Sequence, residues 1–155
     1  MNIEVRLAAS DDLQDLLDMR YEFTVEDYPD TASVSREEFS IAYEAFFSDM
    51  LKGEAWKVFV AVHDGRVVSH MYLQIIEKVP RPGRPHRHFA YVTNVYTRPA
   101  YRGQGIGAQV HQWMEKWARE QDLEMLIVWP SSGSVKFYGR NGFVRNAEMM
   151  ELDLT

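Results

Sequence analysis

The sequence predicts an α/β fold, and three stretches carry that reading. In the first, the β-branched and aromatic run Tyr91-Val92-Thr93-Asn94-Val95-Tyr96-Thr97 has strand character. It leads through the turn Arg102-Gly103-Gln104-Gly105-Ile106-Gly107 to apolar residues at Ile106, Val110, Trp113, Met114 and Trp117, whose spacing is helical. The second is a pair of strand-like runs, Trp56–His63 and Val67–Glu77, joined by Asp64-Gly65, a strong signal for a tight hairpin. The third is Ser35-Arg36-Glu37-Glu38, a capping box, followed by Phe39, Tyr43, Phe46, Phe47 and Met50 on one broad helical face.

The elements follow in order. Ile3 to Leu7 alternates as a first strand. Ser10 stands as an N-cap before Asp11 and Asp12, which suit the positive end of a helix, and Leu13, Leu16 and Leu17 begin its apolar face. The stretch Thr24-Val25-Glu26-Asp27-Tyr28-Pro29-Asp30 is expected to break that helix. After the capped second helix and the hairpin, Val79-Pro80-Arg81-Pro82-Gly83-Arg84-Pro85 reads as a surface loop, because proline cannot donate to a ladder. Beyond the glycine turn and its helix come a strand at Met125–Trp129, a short helix at Ser134–Arg140 stopped by Asn141-Gly142, and a last strand at Met149–Leu154. With 155 residues and no linker or repeat, residues 1–155 are expected to form one domain.

The glycine turn is the most informative feature. N–H groups at a helix start have no partner inside the helix, and the helix dipole adds partial positive charge there. Without side chains at Gly103, Gly105 and Gly107, an anion can come close to those groups, and Arg102 is a nearby cation. This is the outline of a phosphate cradle. A nucleotide P-loop would end in Gly-Lys-Ser/Thr, whereas Ile106-Gly107-Ala108 stands here. A dinucleotide fingerprint needs G-x-G-x-x-G, and the spacing here is G-x-G-x-G.

A second motif gives the cradle its context. Ser131-Ser132-Gly133-Ser134-Val135-Lys136-Phe137-Tyr138-Gly139-Arg140-Asn141-Gly142-Phe143 follows the strand at Met125–Trp129. Together the two motifs resemble the GNAT superfamily of acetyl-CoA-dependent N-acetyltransferases. The family's V-x-P-x-x-R-G-x-G-I-G is matched from Thr97 to Gly107, and its N-x-x-A-x-x-F-Y-x-x-x-G-F from Ser131 to Phe143. The resemblance implies a mixed central sheet of about six to seven strands, splayed at the strand before the cradle, with helices on both faces. It implies transfer of acetyl from acetyl-CoA, as cosubstrate, to the primary amine of a small molecule or peptide. It carries no metal. The alternative is a module that binds acyl-CoA without turning it over.

Acetyl transfer to an amine needs a held cofactor, a polarised carbonyl, a deprotonated amine and a protonated leaving thiolate. The resemblance assigns the pyrophosphate to the N–H groups of Arg102, Gly103, Gln104, Gly105, Ile106 and Gly107. It assigns the carbonyl and the pantetheine amides to a bulged stretch at Val95, Tyr96 and Thr97. Fixed backbone donors there can supply a few kcal/mol. Ser131 or Ser132 stands where the family often has asparagine, and Ser131 and Ser134 are assigned to the cofactor arm. Tyr138 matches the family's general acid, and a phenol is a proton donor at neutral pH. Many members place a glutamate base on the motif strand, where this chain has Thr93 and Asn94. His70 is then the candidate base, ahead of His88, because a histidine near neutrality is chemically apt; a water relay, or an amine that arrives neutral, is the alternative.

The acceptor is expected to meet Tyr21, Glu22, Glu26, Asp27 and Tyr28 at the end of the first helix. The basic loop from Lys78 to His88 is expected to face this acidic segment across a cleft. The net charge of −6 argues against nucleic acid as a partner. There is no cysteine, which removes thiol nucleophiles and disulfides. No run of apolar residues is long enough to span a membrane and the start lacks a signal-peptide pattern, so a cytoplasmic protein, alone or as a homodimer, is expected.

Overall fold

The computed structural model describes residues 1–155. A short strand β1 (Glu4–Leu7) leads into α1 (Leu13–Asp27), α2 (Arg36–Lys52), β2 (Trp56–His63), β3 (Arg66–Glu77), β4 (His88–Thr97), α3 (Ile106–Glu120), β5 (Leu126–Val128) and α4 (Val135–Arg140). The sheet order is β1-β2-β3-β4-β5. The first four strands pair antiparallel and β5 joins β4 in parallel, with α3 as the crossover.

Both faces of the sheet are covered, and β2 shows how the sequence does it. Val58, Val60 and Val62 point one way and join Leu16, Leu17, Met19, Tyr43 and Phe47 of α1 and α2. Phe59 and Ala61 point the other way and join Ile106, Val110 and Met114 of α3. Successive side chains alternate across a strand, so a continuous apolar run serves two cores at once. The hairpin forms as expected. Asp64 (φ 48°) and Gly65 (φ 75°) both adopt the left-handed backbone that a two-residue turn requires.

Four local expectations change. Ser10 is not a cap; buried Asp12 accepts the Ala9 N–H at 2.7 Å and binds the Arg6 guanidinium at 2.7 and 3.0 Å, a stronger set of partners than a lone hydroxyl offers. Only one arm of the capping box forms, with Ser35 Oγ accepting the Glu38 N–H. The first helix is not broken at Thr24 but runs to Asp27, just before Pro29. The last expected strand is absent, and the sheet has five strands. Met149–Leu154 is exposed and pairs with no strand, because the neighbouring β5 is only three residues long and offers too short a ladder.

Candidate active site

The sheet opens at one point. β5 pairs with β4 only from Ala90 to Val92, so β4 runs on from Thr93 to Thr97 with no strand on that side. The same stretch is irregular on its other side. The register with β3 breaks between His70 and Tyr72, and Asn94 takes a left-handed φ of 48°. Val95, Tyr96 and Thr97 therefore lie just past a bulge, on an edge whose outer main-chain groups are free for a ligand.

His70 holds that bulge. Its Nδ1–H donates to the Asn94 carbonyl at 2.8 Å. A carbonyl can only accept, so Nδ1 carries the proton and Nε2 is left with a lone pair, buried and without a partner. Burial pushes its pKa down to about 3, and the nearby charges of Arg20 and Arg98 act in the same direction. This corrects the expectation that His70 is the base: a group this weakly basic, with no solvent exposure, does not take a proton from an ammonium near neutral pH. The signal missed in the sequence is that β3 is covered on both faces.

The cradle follows β4. A single 3-10 turn at Pro99–Tyr101 turns the chain, and its end uses the Arg102 N–H in a bond to the Pro99 carbonyl (3.2 Å). The next six N–H groups, from Gly103 to Ala108, have no acceptor within the chain. Arg102 thus drops out of the expected set and Ala108 enters it. Gly103 (φ 73°) and Gly105 (φ 77°) make the turn possible, and Gly105, the N-cap of α3, has no side chain to occupy the site. The Gln104 amide donates back to the Ala100 carbonyl at 3.0 Å and braces the loop. Ile106 is buried in the core and anchors the helix start.

Arg102 does not point its charge at the cradle. Its guanidinium makes a two-pronged pair with Glu26 (2.9 and 2.8 Å), and its Nε donates to the Thr97 carbonyl (2.8 Å). The Tyr96 hydroxyl donates to the same Glu26 at 3.3 Å. The bond to Arg102 holds the Glu26 carboxyl below its usual range. Glu22 likewise pairs with Arg98 at 2.9 and 3.1 Å. Two of the three carboxylates expected to meet the acceptor, Glu22 and Glu26, are already matched with arginines, while Asp27 and Tyr28 lie exposed and Tyr21 packs against Phe39 and Arg36 of α2. The basic loop is not across a cleft from them. It is tied at the opposite end of β4, through Lys78 to Glu124, Arg87 to Glu77 and His86 to the Asp122 carbonyl.

On the other side of the opening, α4 carries Tyr138. Its ring is buried between Phe137 and Phe143, and burial pushes its pKa up to about 12, with Tyr91 adding to the shift. The phenol keeps its proton at any ordinary pH. Phe137 in turn abuts the start of α3, with a ring carbon 3.6 Å from where a β-carbon on Gly107 would lie. Ser131 and Ser134 form a tight turn ahead of α4, with hydroxyls bonded to each other at 3.0 Å.

One part of the site carried no mark in the sequence. A pocket of about 230 Å³ lies between α1, α2 and the strands β2 to β4. Phe39, Phe46 and Trp56 are apolar walls; Tyr43, Tyr72, Thr93, Asn94 and Arg20 bring polar groups. It abuts the bulge directly, since the Arg20 guanidinium donates to the Asn94 side-chain oxygen at 3.1 Å.

Known proteins share this fold. The family model described as acetyltransferase (GNAT) family matches residues 12–143. The chain belongs to that family. It is an acetyl-CoA-dependent N-acetyltransferase, and the glycine turn and the opening of the sheet are where the family resemblance places its cosubstrate. A glucosamine 6-phosphate N-acetyltransferase from Trypanosoma brucei brucei is 32% identical over 102 residues, which cover 66% of this chain and 67% of that protein. A solved acetyltransferase from Trypanosoma brucei superposes with a TM-score of 0.74 at 26% identity, covering 99% of this chain and 100% of that one. A predicted acetyltransferase from Clostridium acetobutylicum, solved with acetyl-CoA, gives 0.79 at 20% identity over 99% and 97% of the two chains, a likeness of fold.

Proposed function

We propose that this acetyltransferase acts on the primary amine of a small molecule by direct attack, and that the observation carrying the reading is the run of six unsatisfied N–H groups beside a splayed, bulged strand. The residues fit the group they would hold. Gly103 to Ala108 present donors and no side chain that opposes a pyrophosphate, which suits an anion at a helix start. The free edge of β4 from Thr93 to Thr97 suits an extended amide-bearing arm, and Ser131 and Ser134 stand beside it as further polar contacts. When bound, acetyl-CoA supplies the activated acetyl group.

Tyr138 holds a proton for the departing thiolate, and burial keeps that proton in place. No side chain is assigned to deprotonate the amine. It loses its proton to water before attack, so the rate rises with pH through the amine's own pKa. A small acceptor is favoured over a folded partner because the pocket at the bulge, lined by α1 and α2, has a volume of only about 230 Å³, and the curated relative is named for a small sugar phosphate. A cytoplasmic setting belongs to the same reading; no helix is long and apolar enough to cross a membrane.

The test has two readouts. Acetyl-CoA at 100 times its Kd should stabilise the protein by about 2.7 kcal/mol in thermal unfolding, with ATP and NAD far behind. Thiol release should follow when a panel of amino acids, amino sugars, polyamines and peptide N-termini is added. Binding of acetyl-CoA with no thiol release from any amine would leave a binding module in place of an enzyme.

A further inference from the structure

Three arginines are half-buried: Arg6, Arg20 and Arg98. Arg6 is paired with Asp12, and Arg98 with Asp15 and Glu22. Arg20 has no carboxylate within 4 Å. Its one hydrogen bond goes to the neutral side-chain oxygen of Asn94 (3.1 Å), and its guanidinium lies 5.8 Å from the Phe23 ring centroid. A guanidinium has five N–H donors, and one bond leaves most of them without a protein partner. A partly desolvated, unpaired cation is unfavourable until a ligand brings the opposite charge.

The rest of the pocket asks for the same kind of ligand. No carboxylate lines it. The hydroxyls of Tyr43 and Tyr72 touch each other inside it. Two O–H groups sharing one contact leave one proton over. Burial pushes the Tyr43 phenol up to about 12 and the Tyr72 phenol higher still, so both stay protonated. Phe39, Phe46 and Trp56 supply an apolar wall. The volume, about 230 Å³, is below the roughly 300–1,000 Å³ typical of drug-sized sites, which suits a single small molecule.

Position narrows the class. Arg20 is bonded to Asn94, the residue at which β4 bulges, so an anion on Arg20 lies beside the place where the amine must react. The anion and the amine must then be close neighbours in the acceptor. In an α-amino acid they share one carbon. In an amino sugar phosphate they sit on opposite sides of the ring.

We propose that Arg20 selects the acceptor: its guanidinium binds the carboxylate of an α-amino acid whose large apolar side chain fills the pocket between Phe39, Phe46 and Trp56. This rests on the acetyl-transfer reading above and adds the acceptor class to it. The free carboxylate matters, so a peptide N-terminus, in which that carboxylate has become an amide, is a poor acceptor.

Calorimetric binding in the presence of CoA tests this without any turnover. The probes are L-phenylalanine, L-phenylalaninamide and glucosamine 6-phosphate, with the parent protein and the variants Arg20→Gln and Arg20→Lys. Phenylalanine should bind about ten- to a hundredfold more tightly than its amide, the usual worth of a hydrogen bond to a charged group. Arg20→Gln should reduce that ratio to about one while CoA affinity stays as in the parent, and Arg20→Lys should keep part of it, as a point charge without the fork. Equal binding of acid and amide to the parent overturns the proposal on its own, whatever the variants do. So does an unchanged ratio in Arg20→Gln, or glucosamine 6-phosphate binding more tightly than phenylalanine. Thiol release is measured alongside with acetyl-CoA. Phenylalanine that binds through Arg20 but releases no thiol supports the pocket assignment and sinks acetyl transfer. Thiol release with other amines but no phenylalanine binding sinks only the pocket assignment.

Discussion

The two sides of the cleft are built from different material. The proposed cofactor side is main chain: six N–H groups from Gly103 to Ala108 and the free edge of β4. The proposed acceptor side is side chain: Arg20, the aromatic walls and two phenols gathered from α1, α2 and three strands. A main-chain cradle reads charge and little else, which is sufficient for a cosubstrate that never changes. A side-chain pocket can be refitted residue by residue without touching the cradle, which is where discrimination between acceptors belongs. The ion pair of Glu26 with Arg102 takes the arginine's charge away from the cradle and leaves the main chain as its source of positive potential.

The largest effect should come from putting a charge into the cradle. Gly105 is left-handed, and a β-carbon there meets nothing within 4 Å. Asn and Asp both tolerate that backbone better than other residues and are nearly the same shape. Gly105→Asn should bind CoA within about tenfold of the parent, a cost within 1.4 kcal/mol. Gly105→Asp should lose binding altogether, because its carboxylate takes the position of a pyrophosphate. If both variants bind CoA alike by calorimetry, the phosphates lie elsewhere and the main-chain side of the comparison falls.

Tyr138 is the proposed proton donor, so removing its hydroxyl should separate holding from reacting. Tyr138→Phe keeps the ring packed between Phe137 and Phe143. General acid groups contribute about 10²–10⁴-fold, and the loss should fall on kcat, with KM for acetyl-CoA little changed. Steady-state kinetics with near-parental kcat would reduce the residue to packing and leave protonation to solvent.

The same contrast explains what could be read from the sequence. A main-chain site has to leave glycines where φ is positive, and Gly103 and Gly105 stand directly before a helical spacing, so the run of free N–H groups was legible to within one residue at each end. The hairpin turn was legible for the same reason. The acceptor pocket was not. Phe39, Tyr43 and Phe46 fall at helical spacing among core residues, and nothing local separates the pocket-lining ones from Phe47 and Met50. Glu26 read as a free carboxylate because its partner Arg102 is 76 residues away. Met149–Leu154 has a strand's alternation, but a strand exists only with a partner, and the edge of the sheet is too short to supply one.

The smallest effect concerns His70, which belongs to neither side and braces the strand between them. Its pKa is about 3 in the folded chain against an ordinary 6.5, and burial also lowers that of His111, whose two ring nitrogens have no partner. Between those values the unfolded chain binds more protons than the folded one. Stability is therefore fully present above about pH 6.5 and is lost as pH falls below it, for His70 through the window toward 3 and by at most about 1.4 kcal/mol per pH unit, with His111 acting in the same direction. The Glu26 carboxyl, held low by Arg102, acts in the same direction but only below the ordinary carboxylate range, so the interval from pH 6.5 to 5 reports the histidines. Urea denaturation across that interval should show the decline, and ¹⁵N NMR should show His70 as a neutral Nδ1–H ring throughout. A ring that titrates near 6.5, together with a rate that falls in step with it, would restore His70 as a base. A ring that stays neutral while the rate still rises with pH assigns that rise to the amine itself, which is what an acceptor deprotonated by water requires.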